Sequence, residues 1–206
     1  NLQLMYNQSS EETINLTKAL RGDVKKQGSW GEIKLERILE ISDLNEGSEY
    51  EKQQSFQESE NRLQPDIIIK LPKNKQIIID SKVSLNAYYK YIETDNDNEK
   101  ADYIKQLTSD IKNHIKSLES KEYQYISSLD TPEYVLMFIP IEATFALSVQ
   151  NDSTLFTYAW NKKIVLVSPT TLLAVLKTVS SLWMHEKQTQ NINLIIDKAG
   201  NMYDKF

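Results

Sequence analysis

Three residues in the first half of the chain have the chemistry of a divalent-cation site: Asp66, Asp80 and Lys82. Carboxylates are hard oxygen ligands of the kind that Mg²⁺ or Mn²⁺ takes. An ion held by them polarises a phosphoryl oxygen and lowers the pKa of bound water. A lysine alongside can orient or deprotonate that water, or neutralise charge on transition-state oxygens. Asp80-Ser81-Lys82 closes a run of three isoleucines, Ile77 to Ile79. Strand side chains alternate faces, so Asp80 and Lys82 share one face, and Ile77, Ile79 and Ser81 share the other. Charges that follow a buried isoleucine run must be exposed, paired or bound to a metal.

Asp66 can join Asp80 only if two strands pair in one particular register. The segments 66–71 and 76–83 are β-branched and apolar, and Pro72-Lys-Asn-Lys75 between them signals a hairpin. If Leu71 faces Gln76, Asp66 falls opposite Ser81, off the face of Asp80. If Leu71 faces Lys75, Asp66 falls opposite Asp80. The second closure, or a bulge or splay with the same effect, is the one a site requires, and we expect it. A third carboxylate would come from a helix. Glu32 and Glu36 stand four residues apart and so share a helix face, and either could serve.

The other elements follow from periodicity and breakers. Residues 1 to about 20 have a loose helical period through Leu4, Ile14, Leu16 and Leu20 that Gly22 ends, and they read as the end of a coiled coil. Ser29 is placed to cap a helix reaching about Ile41, with Ile33, Leu35, Ile38, Leu39 and Ile41 as its apolar side. A weakly alternating strand is expected from Tyr50 to about Gln57. A helix pair spans roughly 84–127, broken near Thr94 to Asn98. Residues 134–139 and 164–167 read as buried strands, with one or two short helices between Glu142 and about Asn161. Thr170 or Thr171 then caps a long helix towards Phe206. This order predicts an α/β fold with a mixed central sheet flanked by helices, antiparallel in its first part and parallel later. The division expected is a helix over 1–24 and one domain over 25–206.

Composition narrows the function. The chain has 206 residues, no cysteine and a net charge of −5. The missing cysteines exclude a disulfide scaffold, a thiolate metal site and a cysteine nucleophile. The negative charge counts against simple nucleic-acid backbone binding, but a bound metal supplies positive charge where a phosphate docks. No Gly-x-Gly-x-x-Gly or P-loop occurs, so no small-molecule cofactor is expected. No run of about 18 apolar residues suggests a membrane span.

Helix-Glu, Pro65-Asp66, a spacer and then Asp80-x-Lys82 resembles the PD-(D/E)xK nuclease superfamily. Alone, the motif is short enough to be a turn aspartate plus a surface ion pair. Longer stretches resemble the RmuC family of bacterial DNA recombination proteins: residues 15–23, 28–40 (Gly-Ser-Trp-Gly-Glu-Ile-Lys-Leu-Glu-Arg-Ile-Leu-Glu), 62–66 (Arg-Leu-Gln-Pro-Asp), 77–88, 135–142, 164–174 and 202–206. The resemblance implies a PD-(D/E)xK-like (restriction-endonuclease-like) core behind an upstream coiled coil. That coiled coil implies self-association, and the family often carries an inner-membrane anchor upstream, which would put this domain on the cytoplasmic side. It implies a Mg²⁺- or Mn²⁺-dependent deoxyribonuclease acting on DNA, in recombination or in limiting rearrangement at inverted repeats. The alternative is a catalytically silent nuclease-fold module for DNA binding or assembly.

Other residues have both functional and plain readings. Ser168 and Thr170 at a strand-to-helix junction could hold a DNA phosphate on free helix N–H groups, or simply cap the helix. Lys70 belongs to a locally basic stretch with Lys73, Lys75, Lys82 and Lys90 that could meet the DNA backbone. Tyr88 could stack on a splayed base, or pack. Glu142 could be an outer ligand or an ordinary helix-start carboxylate. Trp30, Trp160 and Trp183 read as packing residues, and His114 and His185 as ordinary core or surface histidines.

Overall fold

The computed structural model describes residues 24–52, 56–58, 61–82, 85–121, 123 and 134–203. The helix expected over residues 1 to about 20 lies outside these. Helix α1 (Val24–Glu40) buries Leu35, Ile38 and Leu39. It starts well before Ser29, which is therefore an exposed residue inside the helix and not its cap. Gln27 and Trp30 are buried on either side of Gly28 and Ser29, and that packing outweighs the roughly 1 kcal/mol that a mid-helix glycine costs.

A turn through Gly47, whose φ of 84° suits a residue without a Cβ, leads into β1 (Tyr50–Lys52). The single strand expected from Tyr50 to about Gln57 is instead two short ones. β2 (Phe56–Glu58) pairs with β3 (Asn61–Leu63) in a separate antiparallel ribbon. The weak alternation there offers no continuous apolar face to hold one long strand. The isoleucine-rich strands follow as β4 (Ile67–Lys70) and β5 (Gln76–Ser81), joined by a tight turn over Pro72–Asn74. Then come α2 (Asn86–Glu93), α3 (Asp97–Glu119), β6 (Val135–Phe138), α4 (Glu142–Asn151), α5 (Leu155–Trp160), β7 (Ile164–Val167) and α6 (Pro169–Tyr203). The Asn96 side chain accepts the Asn98 N–H at 3.0 Å and starts α3. At α6, Ser168 is the residue before the helix and Pro169 takes its first position. The helix thus begins ahead of Thr170 and Thr171, because a proline needs no N–H partner there.

The five-stranded sheet has the order β1-β4-β5-β6-β7. β1, β4 and β5 are antiparallel, and β5, β6 and β7 are parallel. This is the mixed α/β sheet, flanked by helices, that the order of elements predicts. The hairpin pairs Lys70 with Gln76 and Ile67 with Ile79. The Leu71 N–H donates to the Lys75 carbonyl at 2.7 Å, so Leu71 faces Lys75. Continuing the register by one step sets Asp66 opposite Asp80.

Strand alternation sorts the core into two layers. Ile67, Ile69 and Ile79 pack with Leu35, Ile38 and Leu39 of α1 and with Leu172, Leu176 and Val179 of α6. On the other face, Ile78 and Met137 pack with Ile111, Ile115 and Leu118 of α3 and with Leu155 of α5. Trp183 is half-buried against the first layer and donates its indole N–H to the Lys70 carbonyl at 2.9 Å. Trp160, expected in the core, is 54% exposed and stacks on Tyr134. The inward side of the short helix α5 is taken by Leu155 and Ala159. Among the described residues no helix is long and apolar enough to cross a membrane.

Leu39 has no exposed surface and sits between α1 and the sheet. Leu39→Ala should cost about 2–5 kcal/mol of unfolding free energy, read from denaturant midpoints at unchanged slope. A loss below about 1 kcal/mol would show that α1 is not part of the cooperative core.

Candidate functional site

Asp80 lies at the end of β5 with none of its surface exposed. Lys82 Nζ is 2.7 Å from its Oδ2, an ion pair that lacks hydrogen-bond alignment. Its other oxygen, Oδ1, accepts from Lys121 Nζ at 2.7 Å and from the Tyr123 hydroxyl at 3.2 Å. Tyr123 is buried, touches the Gln64 carbonyl at 3.2 Å and receives Lys121 Nζ at 3.1 Å. Burial, and then the charge of Asp80, push its phenol above the ordinary value. Lys82 is held by its own backbone, whose N–H donates to the Phe138 carbonyl of β6 at 3.0 Å.

Asp66 faces this cluster from the start of β4. Its Oδ2 accepts the Ser81 N–H at 2.6 Å. Burial, and then the neighbouring charge of Asp80, raise its pKa from 3.8 to about 6. Two carboxylates side by side resist sharing full ionisation, so the pair favours a proton or a cation between them.

The glutamates of α1 approach the group from the side of Asp66 and not of Asp80. α1 covers the opposite face of the sheet from Asp80. Glu32 and Glu36 line a hollow of about 140 Å³ with Leu35, Lys52, Asp66 and Ile67. Asp66 is common to the hollow and the Asp80 cluster. Glu36 pairs with Lys52 at 3.2 Å, and Lys52 also reaches Glu46 at 3.1 Å. Among the described residues no three Asp, Glu or His side chains are grouped to hold a metal. The residues present fit a site of one or two carboxylates completed by water and substrate oxygens, the way Mg²⁺ is usually held. The incompletely satisfied Oδ2 of Asp80 and the proton affinity of Asp66 are the features that suit a cation.

Lys121, Tyr123 and His114 were not legible as site residues in the sequence. The helix expected to run to about residue 127 ends at Glu119, and Lys121 and Tyr123 follow it with their side chains turned to Asp80. No local spacing marks them, since they lie more than forty positions from their partner. His114 of α3 is part-buried; burial, and then the charge of Lys82, hold its imidazole below the ordinary pKa.

The RmuC family model matches residues 1–206. The chain belongs to the RmuC family. Over all 206 residues it is 46% identical to the DNA recombination protein RmuC homolog of Pseudomonas aeruginosa, and 45% identical to that of Vibrio cholerae. It is also 45% identical over its whole length to the DNA recombination protein RmuC of Escherichia coli strain K12. It spans 45%, 40% and 43% of those relatives' own lengths, respectively, which is less than half of each.

The candidate DNA contacts Ser168, Thr170, Lys70 and Tyr88 are not gathered at the acidic pair. Ser168 and Thr170 are engaged by Glu142. The Ser168 hydroxyl donates to Glu142 Oε1 at 2.7 Å, and the Thr170 N–H and hydroxyl reach Oε2 at 3.2 and 3.1 Å. Glu142 therefore takes the helix-end position that a phosphate would need, a favourable place for any anion. Lys70 sits at the turn end of β4, away from Asp66, with its Nζ 2.5 Å from Glu51 and 3.0 Å from the Gly47 carbonyl. Tyr88 is buried beside Trp30, Leu85 and Ile141, which leaves its ring no open face for a base.

The raised pKa of Asp66 has a definite sign. Between its ordinary value and about 6, the folded protein keeps a proton that the unfolded chain has lost. Stability therefore falls as pH rises through that interval, and the deficit is complete above it. Asp66→Asn should melt higher than the parent at pH 8, with the gap closing as the pH drops towards 4. A gap that stays constant across this range would contradict the ionisation of Asp66 in the folded protein.

Proposed function

We propose that this domain is a metal-dependent DNA nuclease of the PD-(D/E)xK type that hydrolyses phosphodiesters. The observation that carries the reading is the hairpin register, which sets Asp66 opposite Asp80 while Lys82 Nζ lies 2.7 Å from Asp80. The relatives named DNA recombination protein RmuC support a role in DNA recombination, and limiting rearrangements at inverted repeats is one form that role would take. Asp66 and Asp80 hold the cation, and Glu32, or Glu36, completes its environment from the adjoining hollow. Mg²⁺ or Mn²⁺ bound there supplies Lewis-acid polarisation of the phosphoryl oxygen and an acidified water. Lys82 stays beside Asp80, where its ammonium orients the attacking water and stabilises negative charge on the phosphoryl oxygens. DNA is the partner, and a coiled coil upstream would bring copies together.

A second reading has its own support. Both oxygens of Asp80 already lie against lysines, and no described trio of acidic side chains forms a metal cage. A silent nuclease-fold module that binds DNA or assembles on a coiled coil would keep such a cluster as a structural ion network.

The two readings part on Lys82→Ala. Purified protein is incubated with Mg²⁺ or Mn²⁺ and linear, branched and single-stranded DNA, and cleavage, DNA binding and melting temperature are followed together. A nuclease cuts at least one substrate, and Lys82→Ala lowers the rate by about 10²-fold or more with DNA binding retained. No cleavage of any substrate by the parent, with variant and parent binding DNA alike, would leave the silent module.

A further inference from the structure

Lys82 accounts for one oxygen of Asp80, and the proposed chemistry assigns it a task. Lys121 is a second lysine on the same carboxylate and has none. We propose that Lys121 is a built-in counter-cation at Asp80 Oδ1, the ammonium that a divalent ion must displace in order to bind. The proposal rests on the metal reading above.

Three observations carry it. The first is occupancy. Oδ1 of Asp80 receives Lys121 Nζ at 2.7 Å and the Tyr123 hydroxyl at 3.2 Å, Lys82 sits against Oδ2, and the residue has no exposed surface. An incoming ion finds no oxygen of Asp80 facing solvent. The second is charge. Asp66 and Asp80 carry two negative charges, and Lys82 and Lys121 carry two positive ones, so the cluster is neutral as it stands. A divalent ion added to these four groups would leave an excess of positive charge around a buried carboxylate, which is unfavourable. With Lys121 gone, one positive charge remains, and one phosphodiester of DNA matches it.

The third is mobility. Both lysines have backbone N–H groups that are bonded, Lys82 to the Phe138 carbonyl and Lys121 to that of Leu118, so any exchange is a matter of the side chain alone. Lys121 lies beyond the end of α3, and its side chain is about one-third exposed (32%). Its ammonium can leave Asp80 for solvent, or for an arriving phosphate, by rotation of its own flexible stem. Tyr123 stays when it goes, since the hydroxyl contacts both the Gln64 carbonyl and Asp80. Asp80 thus keeps its orientation through the exchange. Metal loading without DNA should consequently be weak, and the lysine sets how weak.

The test is Mn²⁺ binding by the whole chain without DNA, read from the electron paramagnetic resonance signal of free Mn²⁺. Lys121→Met should bind Mn²⁺ about tenfold or more tighter than the parent, because it removes a like charge from beside the ion. Lys121→Arg keeps the charge and should bind like the parent. Asp80→Asn should lose the site. Amine acetylation of the parent, followed at Lys121 by mass spectrometry, needs no variant: added Mn²⁺ should speed it several-fold. If the parent binds Mn²⁺ through Asp80 but Lys121→Met binds no tighter, or Lys121 reacts no faster with Mn²⁺ present, the counter-cation role is overturned and the metal site stands. If neither the parent nor Lys121→Met takes up Mn²⁺, both readings fall together.

Discussion

A carboxylate with no exposed surface needs partners from several directions, and Asp80 draws them from much of the domain. Bringing an unmatched ion into such a place costs several kcal/mol. Lys82 comes from just beyond the same strand, Lys121 from beyond the end of α3, and Tyr123 from the segment after it. Tyr123 also contacts Gln64, two residues ahead of Asp66. The sheet, the α3 layer and the approach to β4 therefore converge on one side chain. An apolar residue could fill the same space without any of them, so the protein carries an electrostatic obligation that packing alone does not require.

The two faces of the sheet divide the work. α1 and α6 bury an aliphatic layer against Ile67, Ile69 and Ile79. The other face combines aliphatic packing with the charged cluster. Because β5, β6 and β7 run parallel, their C-terminal ends line one edge of the sheet. Asp80, Glu142 and Ser168 all fall on that edge, where open α/β sheets usually place their ligands. The edge has an uneven character. The Asp80 end gathers lysines, whereas the β7 end has its helix terminus neutralised by Glu142. The lysines at the Asp80 end are already paired with that carboxylate, so neither end of the edge presents an unpaired charge of this group.

The sequence announced those features that depend on near neighbours in the chain. Period-two alternation and a four-residue turn were enough to foresee the hairpin, the shared face of Asp80 with Lys82, and the antiparallel-then-parallel sheet; they left two closures open, and only the demand that Asp66 meet Asp80 selected Leu71 with Lys75. Features set by distant packing were misread or missed. Ser29 looks like a cap, yet buried Gln27 and Trp30 carry the helix past it. Trp160 looks like core because tryptophan is large, but the inward side of a two-turn helix has room for only Leu155 and Ala159. Lys121 and Tyr123 gave no signal, since an ion pair bridging forty residues leaves no period to detect.

The hairpin turn also bears on how the domain folds. Lys73 and Asn74 both adopt positive φ, near 60°, a conformation that tightens the link between β4 and β5 into a few residues. Local closures of this kind form on the order of microseconds, whereas parallel strands such as β6 and β7 must wait for long loops to close. The face on which Asp66 emerges depends on this short-range closure and not on the crossovers that bring in the remaining strands. A slip of one position at that step would carry the carboxylate to the aliphatic layer, where it would hinder the docking of α1 and α6. Correct site geometry and productive folding are in this way selected by the same early turn.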